Sequence, residues 1–186
     1  MSSRRSSTRP PEREGLAQEG VVAEDGGRAL QIAYRYLNSR ERTVAEMRAR
    51  LEREADLRAA EIEATIAELM GYGYLDDARY ARVFAEDKRT LEQWGSERIS
   101  RTLRERGVDR ELVVAALAQI EDTAAESELE RAQALLDQRF PLGPAEPRDR
   151  DRAFGMLVRK GYESEVAADA VRAWARGRLD APHGSP

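Results

Sequence analysis

The chain has no cysteine among its 186 residues, a single histidine, and lysine at only two positions, Lys88 and Lys160. Without cysteine there are no disulfides, thiolate metal sites or sulfur nucleophiles, which fits a reducing compartment. His183 stands in the last few residues, where nothing is expected to hold an imidazole in the geometry that acid–base or metal chemistry requires. The longest apolar run, Leu112 to Ala118, is too short to cross a bilayer, and Met1 to Arg13 has arginines and serines with no apolar stretch behind them. These absences predict a cytoplasmic protein with no cofactor, metal or membrane contact. The net charge of −4 excludes a globally basic nucleic-acid coat, so any contact with phosphate must come from a local basic face.

Aromatics are only 6% of the chain and charged residues 35%, and the abundant Ala, Glu, Arg and Leu favour helix and leave little to build a sheet. A phrase recurs at Leu51-Glu52-Arg53-Glu54-Ala55, Leu103-Arg104-Glu105-Arg106-Gly107 and Leu157-Val158-Arg159-Lys160-Gly161, with leucine spacings of 52 and then 54 residues. From Leu103 the next apolar anchors are Leu117 and Ile120, and from Leu157 they are Val171 and Trp174, at the same two offsets; from Leu51 to Ile66 and Leu69 the distance is one residue longer. Such regularity predicts an all-α chain of three tandem three-helix repeats, stacked into an elongated, curved, solenoid-like body. Each repeat is too small to bury a large core alone and is expected to share its core with a neighbour.

The repeats are expected at 28–75, 76–122 and 123–178, between disordered tails at 1–27 and 179–186. In the first, Leu30, Ala33, Tyr34 and Leu37 share one face of a helix over about 29–38. Thr43 and Glu46 read as a capping box for a second helix carrying Met47 and Leu51 inward. A third, about 59–70, presents Ile62, Ile66 and Leu69 before Gly71 and Gly73 end it. In the second repeat Asp76 or Asp77 caps a helix to Trp94 with Tyr80, Val83, Phe84 and Leu91 inward, and Gly95 stops it. A helix over about 96–106 buries Ile99 and Leu103 and ends at Gly107, whose lack of a side chain suits the left-handed conformation; Asp109 caps the next. The last repeat opens with a capping pair at Thr123 and Glu126. It continues through a helix to Phe140, a Pro141-Leu142-Gly143-Pro144 surface loop, and helices over about 149–160 and 165–177.

Two stretches exceed generic helix: Gly73-Tyr74-Leu75-Asp76-Asp77-Ala78-Arg79-Tyr80-Ala81, and Trp94-Gly95-Ser96-Glu97-Arg98-Ile99 followed by Leu103 and Gly107-Val108. With the three-repeat plan they make residues 28–178 resemble the RecX family of bacterial recombinase regulators. Ala55, where the other copies have glycine, departs from the pattern and requires a differently made turn. The resemblance implies a monomeric modulator, not an enzyme. It would bind the RecA recombinase filament on single-stranded DNA and oppose its growth, ATPase activity and strand exchange. Three bundles in a row reach roughly 60 to 75 Å, enough to touch more than one subunit of a filament.

The candidate contact residues are basic. Arg98, Arg101, Arg104 and Arg106, followed by Arg110, form the densest basic segment, which Lys88 and Arg89 extend if their azimuth matches. Glu97, Glu105 and Glu111 interleave with them, so a solvated face is the competing explanation. Arg159 and Lys160, with Arg172 and Arg176 four apart on one face, make a weaker second patch. Asp76 and Asp77 are better explained as helix caps than as metal ligands. Tyr74 and Tyr80 are expected in packing between repeats, and Tyr72 at the surface. A stand-alone helical DNA-binding protein, reading duplex or coating single strands, is the alternative function, because three-helix units also serve helix-turn-helix readers. A passive helical scaffold fits the periodicity equally well but leaves the two phrases unexplained.

Overall fold

The computed structural model describes residues 27–144 and 146–179. The expected tails lie outside these residues, except that Gly27 opens the first helix and Leu179 closes the last. Nine helices are described: α1 (Gly27–Leu37), α2 (Val44–Leu51), α3 (Ala59–Gly71), α4 (Asp77–Glu92), α5 (Ser96–Glu105), α6 (Arg110–Asp122), α7 (Glu128–Arg139), α8 (Pro147–Lys160) and α9 (Ser164–Leu179). No described residue is in a strand.

Three separate cores form, each from three consecutive helices, so the expected sharing of a core between neighbouring repeats is corrected: each bundle closes its own. Leu30, Leu37, Met47, Leu51, Ile62, Ile66 and Leu69 pack in the first, closed by Leu75 from the following link. Tyr80, Ile99, Leu103, Val108 and Val113 make the second, and Leu135, Leu136, Leu157, Tyr162, Val171 and Trp174 the third. Leu51, Leu103 and Leu157 are each fully buried, the physical reason for their recurrence. No hydrogen bond or ion pair among the described residues joins the first core to the third, so the repeats stand in a row.

Several local expectations hold. Thr43 and Glu46 make a reciprocal capping box on α2, Asp76 accepts from the Arg79 N–H, and Asp109 accepts from the Glu111 N–H. After α3, α5 and α8, the glycines Gly73, Gly107 and Gly161 take φ of 71°, 79° and 90°. The next N–H reaches back in each case, Tyr74 to the Leu69 carbonyl, Val108 to Leu103 and Tyr162 to Leu157, the pairing of a Schellman turn.

Other expectations are corrected. Helix α4 ends at Glu92 because Gln93, not glycine, adopts the left-handed conformation at φ 54°. Gly95 instead starts α5 as its N-cap. Val83 and Leu91 lie outward, Leu91 at 76% exposure, so the buried stripe of α4 is Tyr80, Ala81 and Ala85 with Phe84 beside it. Thr123 is the C-cap of α6, and the capping box of the third repeat is Ser127 with Glu130. Proline at the first position of α8 starts that helix at Pro147, two residues before the expected point. Tyr74 is exposed instead of packed between repeats, whereas Tyr80 is buried and Tyr72 is at the surface.

What positions the repeats is a joint used twice. At the first, the N-cap of α2, Thr43, donates its hydroxyl to the Arg106 carbonyl at 2.7 Å, just before the turn glycine Gly107. At the second, the N-cap of α5, Gly95, donates its N–H to the Lys160 carbonyl at 3.0 Å, just before Gly161. The first helical N–H is captured by the residue that opens the first helix of the next repeat: Val44 donates to Asp77 at 2.9 Å and Ser96 to Glu128 at 2.7 Å. Middle helices α8, α5 and α2 thus run end to end, the negative C-terminus of one against the positive N-terminus of the next. The approach is close enough to require glycine. A Cβ on Gly107 would overlap the Ala45 Cβ, one on Gly161 would overlap Arg98, and one on Gly95 would overlap the Gly161 backbone.

Ala55 now has an explanation. The turn after α2 uses bonds from Glu54 to the Leu51 carbonyl and from Leu57 to the Glu54 carbonyl, with no left-handed residue, and no described repeat packs against it. Gly107→Ala and Gly161→Ala are each expected to cost about 2 kcal/mol or more, from a strained φ plus overlap. Ala55→Gly should cost at most about 1 kcal/mol; urea denaturation midpoints compare them, and equal losses at all three sites would contradict the joint.

The first joint also carries a pH signature. Burial works to raise the carboxyl pKa of Glu46, but the bond from Arg40 and that from the Thr43 N–H outweigh it and hold it below the ordinary glutamate range. Native Glu46 binds its proton less tightly than the unfolded chain does, so its stabilisation is present above the ordinary range and is lost as pH falls through the lowered pKa. Asp77 is opposite: burial raises its pKa, only partly offset by the Val44 N–H, so its contribution declines as pH rises from the ordinary aspartate range through the raised value. Arg40→Met should therefore blunt the acid-side loss of stability, whereas Asp77→Asn should remove the decline above it. Stability measured at a series of pH values in each variant checks both signs.

Candidate partner-binding surface

The fold divides the basic residues by how much of their hydrogen-bonding capacity is already used. On α5 the apolar face is Ile99 and Leu103, both buried, which leaves Arg101 and Arg104, three apart, on the outward side. Arg101 is 69% exposed, with Glu105 its ion-pair partner at 3.9 Å. Arg104 is exposed and has no ion pair or side-chain hydrogen bond among the described residues. An exposed ion pair at that distance contributes little, so both guanidiniums are available to a partner.

The neighbouring cations are committed to the structure. Arg98 lies 3.9 Å over the Trp94 ring and donates to the Arg159 carbonyl at 3.4 Å, across the second joint. Lys88 pairs with Glu92 and sits 5.1 Å from the Trp94 ring. Arg106 bonds the Tyr80 hydroxyl and lies 5.0 Å over Phe84. Together these form a layer of cations on aromatics beside α5, in which the stems pack and the charges are partly shared with ring faces. Lys160 is spent on the Glu92 carbonyl at 2.7 Å, satisfying the end of α4.

Arg89 lies away from any exposed patch. Its side chain is 11% exposed; it donates to the Ile120 carbonyl at 2.7 Å and the Glu126 carbonyl at 3.3 Å, and pairs with Glu121 at 3.4 Å. Burial, then the charge of Arg131, pulls its pKa down, while Glu121 and Glu128 oppose the shift. Arg131 approaches from α7 and pairs with the same Glu121 carboxylate at 3.4 Å. Between α4, α6 and α7 these groups line a cleft of about 680 Å³ with Thr90, Gln93, Gln119 and Tyr162. The helical pattern gave no signal for this meeting, because Arg89 and Arg131 come from different repeats and neither stands in a recurring phrase.

In the third repeat Arg159 is exposed, while Arg172 pairs with Asp169 on its own helix. Arg172 and Arg176 line a small groove with Arg150, Val171 and Ala175. This second group comes from α8 and α9 and shares no described contact with Arg101 or Arg104. Among the described residues no three His, Asp or Glu side chains gather as metal ligands would, and no helix is long and apolar enough to cross a membrane.

The geometry has known counterparts. Residues 76–117 match the model of the RecX second three-helix domain. The chain is 35% identical over 146 residues to regulatory protein RecX of Leptothrix cholodnii, an alignment covering 78% of this chain and 86% of that protein. It is 33% identical over 169 residues to regulatory protein RecX of Deinococcus radiodurans, covering 91% and 72%. The crystal structure of RecX from Lactobacillus salivarius superposes with a TM-score of 0.68 at 20% identity, over 82% of this chain and 98% of that one. A second crystal structure, of regulatory protein RecX, gives 0.62 at 25% identity, over 76% and 70%. A row of three-helix repeats, a matched second repeat and relatives that align over most of their own length lead to one conclusion: this chain belongs to the RecX family of regulatory proteins.

Proposed function

We propose that the chain binds the RecA recombinase filament on single-stranded DNA and opposes its growth, ATP hydrolysis and strand exchange. Family membership supports a regulator, and one observation carries the mode of contact: three small cores held in a row, with Arg101 and Arg104 exposed on the helix at its centre. A row of repeats makes contacts along its length, which suits a partner that is itself repetitive. The forked guanidinium fits carboxylates on a filament subunit and DNA phosphates alike. Arg159 and Arg176 are secondary contacts in this reading, and Arg172 contributes only if it gives up Asp169. Arg89, Arg98, Arg106, Lys88 and Lys160 shape the body instead.

The chain acts as a monomer in the cytoplasm and needs no cofactor or reaction of its own. A regulator of that kind works only through differential affinity, holding filament states that neither add subunits nor hydrolyse ATP more tightly than the active ones. Substoichiometric protein should lower single-strand-dependent ATP hydrolysis by RecA and slow strand exchange. Reversing both charges with Arg101→Glu and Arg104→Glu should raise the concentration needed for half inhibition by about tenfold or more, with helical content unchanged by circular dichroism. Arg89→Ala should instead lower the thermal midpoint, because it removes the guanidinium that ties α4 to the Ile120 and Glu126 carbonyls and to Glu121. No effect of the wild-type chain on ATP hydrolysis or exchange, even in excess over recombinase, would sink the reading. Tight, steeply salt-dependent duplex binding without recombinase would favour a stand-alone DNA binder.

A further inference from the structure

An aromatic patch at the end of α3, in the link that leads to the second repeat, is used neither by a core nor by the arginine surface. Tyr72 is 68% exposed, Tyr74 41% and the adjacent Met70 51%. Their backbone is fixed: Tyr72 is the C-cap of α3, Gly73 is left-handed, and the Tyr74 N–H bonds the Leu69 carbonyl at 2.9 Å. The Tyr74 ring stands edge-on to Tyr34 of α1, centroids 5.6 Å apart, and Tyr72 meets Tyr74 at 6.4 Å. Tyr34 packs against the first core and anchors the set. Rigid aromatics offer large contact area at little ordering cost, so this exposed cluster suits a binding anchor.

The surrounding charge selects the occupant. Glu68 stands one helical turn before Tyr72 and is close enough to Tyr34 to help raise the phenol's pKa, after burial and Tyr74. Asp76 follows the turn as the cap of α4. Arg79 is already engaged, donating to the Gly73 carbonyl at 3.3 Å and pairing with Glu41 at 3.7 Å. Arg35, one residue past Tyr34, lies about 100° further round α1. Carboxylates so placed repel a phosphate backbone and attract a cation.

The chain itself supplies the pattern. Arg42 lies 3.8 Å over Tyr36, Arg98 3.9 Å over Trp94, and Arg106 5.0 Å over Phe84. Among the described residues no cation lies over Tyr34, Tyr72 or Tyr74, although two of these rings are the most exposed of the aromatic clusters. We propose that this tyrosine edge docks an arginine-bearing segment of a protein partner, its guanidinium stacking on Tyr72 and Tyr74 with Glu68 as counter-charge. The site stands whether or not that partner is a recombinase.

The test uses the full chain with 13C-labelled tyrosine, followed by NMR during titration with a blocked tri-arginine peptide, a blocked tri-lysine peptide and an oligothymidylate. Ring signals of Tyr72 and Tyr74 should move saturably with tri-arginine and less with tri-lysine, since an ammonium lacks the planar stack. Tyr72→Leu, a change at a mostly exposed position that keeps helical content, should weaken the arginine peptide about two- to fivefold, and Glu68→Gln should weaken it too. Three results would overturn the proposal. They are ring shifts that never saturate, shifts driven by oligothymidylate and not by tri-arginine, and unchanged affinity in both variants.

Discussion

A hydrogen bond from the cap of one middle helix to the carbonyl preceding the next repeat's turn glycine is the contact on which the body depends. Thr43 makes it with a hydroxyl and Gly95 with a backbone N–H, to equivalent carbonyls of Arg106 and Lys160. Each bond satisfies a helix-terminal group that would otherwise need water, and a carboxylate at the start of the next repeat, Asp77 or Glu128, takes a second. The cores themselves stay separate, so repeat order rests on a small number of polar contacts at close range and on the absence of a side chain at Gly107 and Gly161.

This economy shapes the surface. With α2, α5 and α8 placed end to end, α5 is flanked at both ends, and its outward arginines stand at the middle of the row. Cations nearest the joints are used up in fastening: Arg98 bridges to Arg159, Lys160 closes α4, and Arg89 ties the α6–α7 link to α4. On the outward side of α5, Arg104 has no side-chain partner among the described residues and Arg101 only the 3.9 Å pair with Glu105. A basic stretch in the sequence therefore mixes two kinds of arginine, and only the geometry separates them.

Much of the architecture was legible in the chain. Leu51, Leu103 and Leu157 announce three cores because a fully buried leucine at nearly the same offset from its partners is what a repeated three-helix core requires. Thr43, Asp76 and Asp109 were readable because capping is local, decided within a few residues. The misplaced end of α4, expected at Trp94 and set by Gln93, and the misplaced cap at Thr123 have a common cause. A helix end can be set by a non-glycine in the left-handed region, or a start by a cap a few residues further along, and composition does not distinguish these. Gly95 looked like a stop because its need for a missing side chain arises from Gly161, over sixty residues away in sequence. Asp77 and Glu128 were unreadable as joint residues for the same reason, and so was the sharing of Glu121 by Arg89 and Arg131. Long-range geometry decides those roles, and one chain without relatives does not display it.

Amide hydrogen exchange at the start of α5 tests the end-to-end joint most directly. The first N–H groups of an ordinary helix exchange quickly, because no carbonyl precedes them. Here the Gly95 and Glu97 N–H groups bond Lys160 and Gly161 carbonyls at 3.0 and 3.1 Å. They should be protected to a degree approaching the core amides of the second and third repeats, and far more than the Arg148 N–H at the open start of α8. Exchange at Gly95 and Glu97 as fast as at Arg148 would show that the repeats are not joined in this way.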